Sequence, residues 1–370
     1  MGIFDFIKGK LSRQKEEESR NVKVSIRSKS TINNEIIEDE IIPVEERLKY
    51  MKPGDQGLYP HEILVLSYAP TFYTDGNNSF QGFWWYQYGI KDVNKVLDSL
   101  LDRKLIRVGS IESAMWKSTV AELKDILREN DHKVSGKKEV LIKRLSDEVD
   151  EEKLNGIFTR RTYETTDLGE EVLKGNEHIP YIHRKGAEDL DIFSLNELVK
   201  KQKPGYSYRD AIWGYLNKRG MEHISGNNFG LYRNCRFTMS EFVYEENKLD
   251  NAFALLVEVI RYDLSGLSNG FNLEYLYIYK ENFFPYEESI INMAPGITKR
   301  VVNYKKAKGL SDEQLRGEII KYGEKISFPF SIFTVDECAD IVLMEIYEDK
   351  DGLAKLYNKA EKRFNKQYKF

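Results

Sequence analysis

Residues 118–145 read STVAELKDILRENDHKVSGKKEVLIKRL, and the rest of the chain is organised around them. Ser118 or Thr119 can cap a helix, and Glu122, three or four residues on, is placed to complete a capping box. Val120, Leu123, Ile126 and Leu127 recur at helical spacing and predict one short amphipathic helix. Asn130 and Asp131 break it. A second helix is expected after Ser135 and Gly136, with Val140, Leu141 and Leu145 as its apolar stripe. Lys117, Lys124, Arg128, Lys133, Lys137, Lys138, Lys143 and Arg144 outweigh Glu122, Asp125, Glu129, Asp131 and Glu139, so the stretch is locally basic.

Glu122-Leu123-Lys124 with Leu127, then Ser135-Gly136-Lys137-Lys138 followed by Leu141-Ile142 and Arg144-Leu145, resembles the SAP module, a helix–extended loop–helix DNA-binding motif. Two positions depart from that pattern. Asp131 stands where a glycine usually ends the first helix, and His132 where an apolar residue usually enters the core. The resemblance implies duplex binding with weak sequence preference, for A/T-rich DNA. Lys137, Lys138 and the start of the second helix would hold backbone phosphates, supported by Lys124, Lys133, Ser135, Gly136 and Arg144. Amides and lysines at a helix N-terminus suit an anion. The alternative is a helical hairpin whose lysines are merely solvated.

The chain has 370 residues, enough for two or three domains. Its 56 basic and 60 acidic residues give a net charge of −4, so any nucleic-acid contact must be local rather than global. Cys235 and Cys338 lie far apart in sequence and nothing else suggests a disulfide framework or a zinc site, so a reducing, cytoplasmic setting is expected. No apolar run is long enough to span a bilayer, so no stable membrane insertion is expected. Phe4, Ile7 and Leu11 can share one face of a short N-terminal helix, within a charged tail or linker over 1–59.

From Pro60 onward a helix is expected over His61–Tyr68, then an aromatic stretch containing Phe83, Trp84, Trp85 and Tyr86. Val93, Val96, Leu97, Leu100 and Leu101 predict a second helix, and Leu105-Ile106-Arg107-Val108 has strand character. A helix, a short break and Leu-Ile-x-Val, with Tyr163, Thr166 and Gly169 later, resembles a winged-helix domain. The expectation is therefore a winged-helix-like domain over 60–175, with the SAP module (117–150) inserted in its wing. Helix 92–101 would then face a groove, offering Lys95 with Arg103 and Lys104 just beyond. The alternative is a helical domain followed by a separate SAP module, with no shared sheet. Inserting a self-folding module in a hairpin costs little, because loop closure rises by roughly 0.6 kcal/mol per doubling of length.

Residues 178–370 are expected to form an α-helical domain that binds a protein partner or self-associates. His178–Arg184 reads as an extended connector and Phe229–Asn234 as a bend, between helices starting near Asp191, Ser207, Met239, Asn251, Ser311, Thr334 and Leu353. The fold class is thus mainly α. No Walker loop, Gly-x-Ser-x-Gly elbow or His-Glu-x-x-His stretch is present. No cofactor and no metal is expected, and the chain reads as a non-enzymatic DNA-binding protein similar to SAP-domain proteins of bacteria and phages. Three weaker readings stay open. A nuclease would use Asp263, Glu274 and Lys280; Cys235 would pair with His178, His183 or His223 as a nucleophile; the Tyr/Arg runs 206–210 and 231–236 would stack bases.

Overall fold

The computed structural model describes residues 41–54, 56–267 and 271–368, so the amphipathic reading of Phe4, Ile7 and Leu11 lies outside the described residues. The protein is mainly α-helical and divides into two units, residues 1–181 and 182–370. Among the described residues no helix is long and apolar enough to cross a membrane.

The first unit is built on α2. Helix α1 (Val44–Leu48) precedes it and buries Val44. Helix α2 (Pro60–Tyr68) opens with a proline, which lacks the N–H that the first turn would leave unused. Ile63, Leu64, Val65 and Leu66 are all buried, so this helix is apolar on most sides, as a central helix must be. Helix α3 (Phe83–Tyr86) buries Trp84. In α4 (Val93–Asp102) the Asp92 carboxylate accepts the Lys95 N–H, and Val93, Leu97 and Leu100 face inward against α2.

Strand β1 (Ile106–Val108) follows α4. Then come α5 (Ile111–Met115), α6 (Val120–Glu129), α7 (Lys138–Glu148) and α8 (Glu151–Ile157) before β2 (Tyr163–Thr165) and α9 (Asp167–Gly175). The two strands pair antiparallel, Ile106 opposite Thr165 and Val108 opposite Tyr163. The other side of this segment is occupied too. Tyr73 bridges Thr162, and the Tyr163 N–H donates to the Phe72 carbonyl at 3.2 Å. Gly169 explains how α9 packs so close: a Cβ there would sit 2.2 Å from the Leu105 carbonyl oxygen.

Residues 109–162 thus leave and re-enter the ladder at neighbouring points, with the Gly109 N–H donating to the Thr162 carbonyl at 2.8 Å. The intervening helices enclose their own apolar centre. Ala114 and Met115 from α5, Leu123 and Leu127 from α6, Leu141, Ile142 and Leu145 from α7, and Leu154 from α8 are all buried together. The segment between the two strands therefore carries an apolar centre of its own.

Helix α10 (His178–Lys185) corrects the extended connector expected there. Pro180 falls in the first turn, where a missing N–H breaks no helical bond, and Ile179 and Ile182 are buried. Beyond α10, which spans the division at residues 181 and 182, come α11 (Ile192–Lys200), α12 (Tyr208–Ser225), α13 (Phe229–Glu245) and α14 (Leu249–Asp263). Residues 229–234 are the opening turns of α13 and not a bend: Phe229, Tyr232 and Cys235 are all buried at helical spacing, a pattern interrupted in sequence by Gly230 and Asn234. Asn227 and Asn247 make the turns on either side of α13 at φ of 58°, a conformation asparagine tolerates.

After a 3₁₀ segment, Leu273–Tyr279, come α15 (Lys280–Phe283), α16 (Pro295–Lys308), α17 (Asp312–Gly323), α18 (Val335–Ile346) and α19 (Lys350–Gln367). Ser311 with Gln314, and Thr334 with Glu337, form the capping boxes that their spacing predicts. The core gathers on α14, where Phe253, Val257 and Ile260 join Leu315, Ile319, Ile341, Val342 and Tyr357.

Candidate nucleic-acid interface

The hairpin α6–α7 is assembled from local signals. Thr119, rather than Ser118, caps α6: its hydroxyl accepts the Glu122 N–H at 3.2 Å, and the Glu122 carboxylate takes the Thr119 N–H at 2.6 Å. Asp131 occupies the glycine position at φ of 56°, and the His132 N–H reaches back to the Leu127 carbonyl. His132 does not enter the core. Its ring pairs with Glu148 at 3.0 Å, and Val134 contributes the apolar contact instead. Gly136 sits at φ of 136°, which an L side chain rarely adopts, and a Cβ there would meet Val140 at 2.9 Å. Val140, expected in the apolar stripe, is 46% exposed and lies outside the buried one; Ile142 takes its place beside Leu141 and Leu145.

The cations of this hairpin divide into two groups. Arg144 donates to the Lys133 carbonyl and, at 3.0 Å, to the Ser135 carbonyl. Its guanidinium therefore helps hold the loop in shape. The Lys138 ammonium donates to the Trp116 carbonyl at 2.7 Å and lies 5.7 Å from the Trp116 ring centre. Lys117 donates to the Thr71 carbonyl and lies over Tyr73, which ties the hairpin to the ladder. Arg128 pairs with Asp125. Lys133 and Lys137 are exposed, Lys124 is half-buried, and none of the three makes an ion pair among the described residues.

Lys137 is the N-cap of α7 and supplies no side-chain cap, so the amides of the first turn are left for an outside acceptor. The positive end of the helix, its exposed N-cap Lys137 and the turn at Ser135-Gly136 adjoin there, and exposed Lys133 stands just upstream in the same loop. Glu139 is the one acidic residue in that first turn. Trp116, which is 44% exposed and receives Lys138, was not singled out by the sequence; an aromatic just ahead of a capping box was its only signal.

The remaining expected contacts belong to α4 and its turn. Lys95 is exposed. Arg103 is committed elsewhere, pairing with Glu62 at 3.1 Å and donating to the Gln56 carbonyl at 2.7 Å, so it braces the N-terminus of α2. Lys104 takes a φ of 58° in the turn, with its side chain exposed and its carbonyl accepting from Thr166.

The three weaker readings in the second unit fare differently. Asp263 is clamped by Arg233 at 2.7 and 2.8 Å, and Lys280 pairs with Glu361 at 3.0 Å; the two residues are held by separate partners. His223 Nε2 and Cys235 Sγ each contact Glu188, so Glu188 stands as the partner of both. Burial, reinforced by Glu188, pushes the Cys235 thiol up to about 12, far from the thiolate a nucleophile needs. Arg209 closes on Glu246 at 2.6 Å, and Arg236 on Glu258 at 3.1 Å, so the arginines of the Tyr/Arg runs are internal braces.

The SAP domain family model matches residues 117–148, the hairpin described above. No curated protein and no solved structure matches the chain at a significant level. A SAP domain suggests nucleic-acid binding, and DNA in particular.

Proposed function

We propose that this chain is a non-enzymatic binder of double-stranded DNA, which grips the backbone at the N-terminal end of α7. The observation that carries the reading is the conjunction of a matched SAP hairpin with exposed Lys133 and Lys137, which make no ion pair among the described residues, at a helix start whose N-cap side chain makes no capping bond. Lys124 adds a third cation on α6. Arg144 and Lys138 shape the loop and the Trp116 side, and act on DNA through that shape. Sequence preference is weak, with A/T-rich duplex favoured, because phosphates position a protein but do not specify bases.

A winged-helix-like platform is the architecture this reading favours for the rest of the first unit. The order α2, Tyr73 bridge, α3, α4, β1, β2, α9 supports it, as does the central place of β2 between the Phe72–Tyr73 segment and β1. Lys95 and Lys104 on α4 and its turn would then add backbone contacts. The second unit serves a protein partner or a second copy of the chain. Two buried free cysteines fit a reducing, cytoplasmic place.

A fluorescence-anisotropy titration of duplex DNA across salt concentrations tests this. Each neutralised phosphate contributes roughly −0.9 to the slope of log affinity against log salt, so contacts by Lys124, Lys133 and Lys137 give a slope of about −2 to −3. Affinity that is absent at low salt, or flat with salt, would remove the DNA reading and leave a protein-interaction scaffold.

A further inference from the structure

We propose that Glu188, His223 and Cys235 form a binding site for one divalent transition-metal ion, Zn²⁺ by preference, inside the second unit. Their ligand atoms all lie within 4.8 Å of one another. Glu188 Oε2 is 2.9 Å from His223 Nε2, and Glu188 Oε1 is 3.1 Å from Cys235 Sγ. Zinc takes sulfur at about 2.3 Å and nitrogen or oxygen at about 2.0–2.2 Å, so tetrahedral ligands stand roughly 3.3–3.6 Å apart. Admitting the ion means opening the two Glu188 contacts by about 0.5 Å, while the His223 and Cys235 ligand atoms, which stand within 4.8 Å of each other, draw in around it.

The backbone is shaped to deliver this carboxylate. Gly186 at φ of 65° and Glu188 at φ of 57° make a tight turn closed by the Ala187–Leu190 bridge. A glutamate in the left-handed region costs on the order of 1 kcal/mol, and it persists where something is gained by it. Here the turn aims the Glu188 side chain inward, leaving it 14% exposed. His223 arrives from the last turn of α12 and Cys235 from the second turn of α13, both buried. Three separate segments thus present three different ligand types to one point.

The donor set also selects the ion. One sulfur, one imidazole and one carboxylate suit zinc or cobalt and disfavour magnesium or calcium, which want oxygen alone. A thiolate and a carboxylate balance a dication, so the buried site ends neutral once the thiol proton leaves. The nearby arginines are already matched: Arg219 pairs with Glu222 and Asp189, and Arg236 with Glu258. Three protein ligands leave one position for water. The bound ion would lock the 186–190 turn onto the α12–α13 hairpin.

Chelator-treated full-length chain titrated with Co²⁺ gives the direct test. The expected result is a near-ultraviolet thiolate-to-cobalt band that saturates at one ion per chain and is bleached by Zn²⁺. The melting temperature should rise with Zn²⁺, by mass action on the folded state. Cys235→Ser should abolish the band while the far-ultraviolet circular dichroism stays unchanged. If that variant does not fold, Glu188→Gln should keep the band but weaken Zn²⁺ at least about tenfold. Absence of the band in folded wild type, or its survival in a folded Cys235→Ser chain, would overturn the site. DNA affinity plays no part in this readout, so the two proposals fail separately.

Discussion

Cations do opposite work in the SAP hairpin and in the 182–370 unit. In the hairpin, Lys133 and Lys137 are exposed and, among the described residues, no carboxylate pairs with them. In the helical unit, Arg209, Arg233, Arg236, Arg300, Arg316 and Arg363 are each paired with an acid on another helix, Arg209 with Glu245. The difference teaches that a basic run becomes a binding surface only where the fold withholds acidic partners. Lysine suits the first task as a solvated point charge, and arginine suits the second as a fork that meets a carboxylate twice.

The contrast breaks most visibly if a brace is removed. Arg233→Met should cost about 3 kcal/mol at neutral pH, because it strands the Asp263 carboxylate in a half-buried site. Burial already raises the Asp263 pKa, with Arg233 opposing that rise. Without Arg233 it rises further, so the loss should shrink as acid protonates the group. Urea denaturation at two pH values reads both effects, and DNA affinity of the folded fraction should be unchanged.

Glu337 gives the next largest effect. Burial would raise its carboxyl, but Arg363, the Thr334 N–H and Lys359 override that and hold it down at about 2. A depressed carboxylate contributes stability that is complete above its unfolded value, about 4.3, and is lost as pH falls towards its folded value. Glu337→Gln should therefore cost on the order of 2 kcal/mol at pH 7 and almost nothing near pH 2. Equal losses at both pH values in urea melts would rule out this linkage.

Gly136→Ala acts on the other side of the comparison. The φ of 136° and the Val140 contact predict a loss of about 1–2 kcal/mol in the hairpin, together with weaker DNA binding. Differential scanning calorimetry and anisotropy on one preparation would show the two moving together. The smallest structural effect belongs to Lys137→Ala. The melt should stay where it is, while the salt slope falls by about 1. An unchanged slope would mean that Lys137 is only solvated.

Much of the hairpin was legible because its determinants are local. The Thr119–Glu122 box, the Gly136 turn and the spacing of Leu123, Leu127, Leu141 and Leu145 all act within one or two turns of their own helix. The pairing of Ile106–Val108 with Tyr163–Thr165 was foreseeable from strand character and from Gly169, although more than fifty residues intervene. The errors came where local cues mislead. Pro180 suggested an extended chain but occupies a first turn, and Gly230 hid the start of α13. Val140 looked like core until the helix phase turned it outward.

By itself the sequence determined which short segments are helical, where the basic hairpin lies and that charge must act locally, since propensity, capping and periodicity are properties of neighbours along the chain. Only the tertiary structure decided which cations stay available. Arg144, Lys138 and Arg103 were claimed by carbonyls and carboxylates that folding brought to them, and Glu188 met His223 and Cys235 across 35 and 47 positions. Electrostatic partnership depends on distance in space, and no spacing in sequence encodes it.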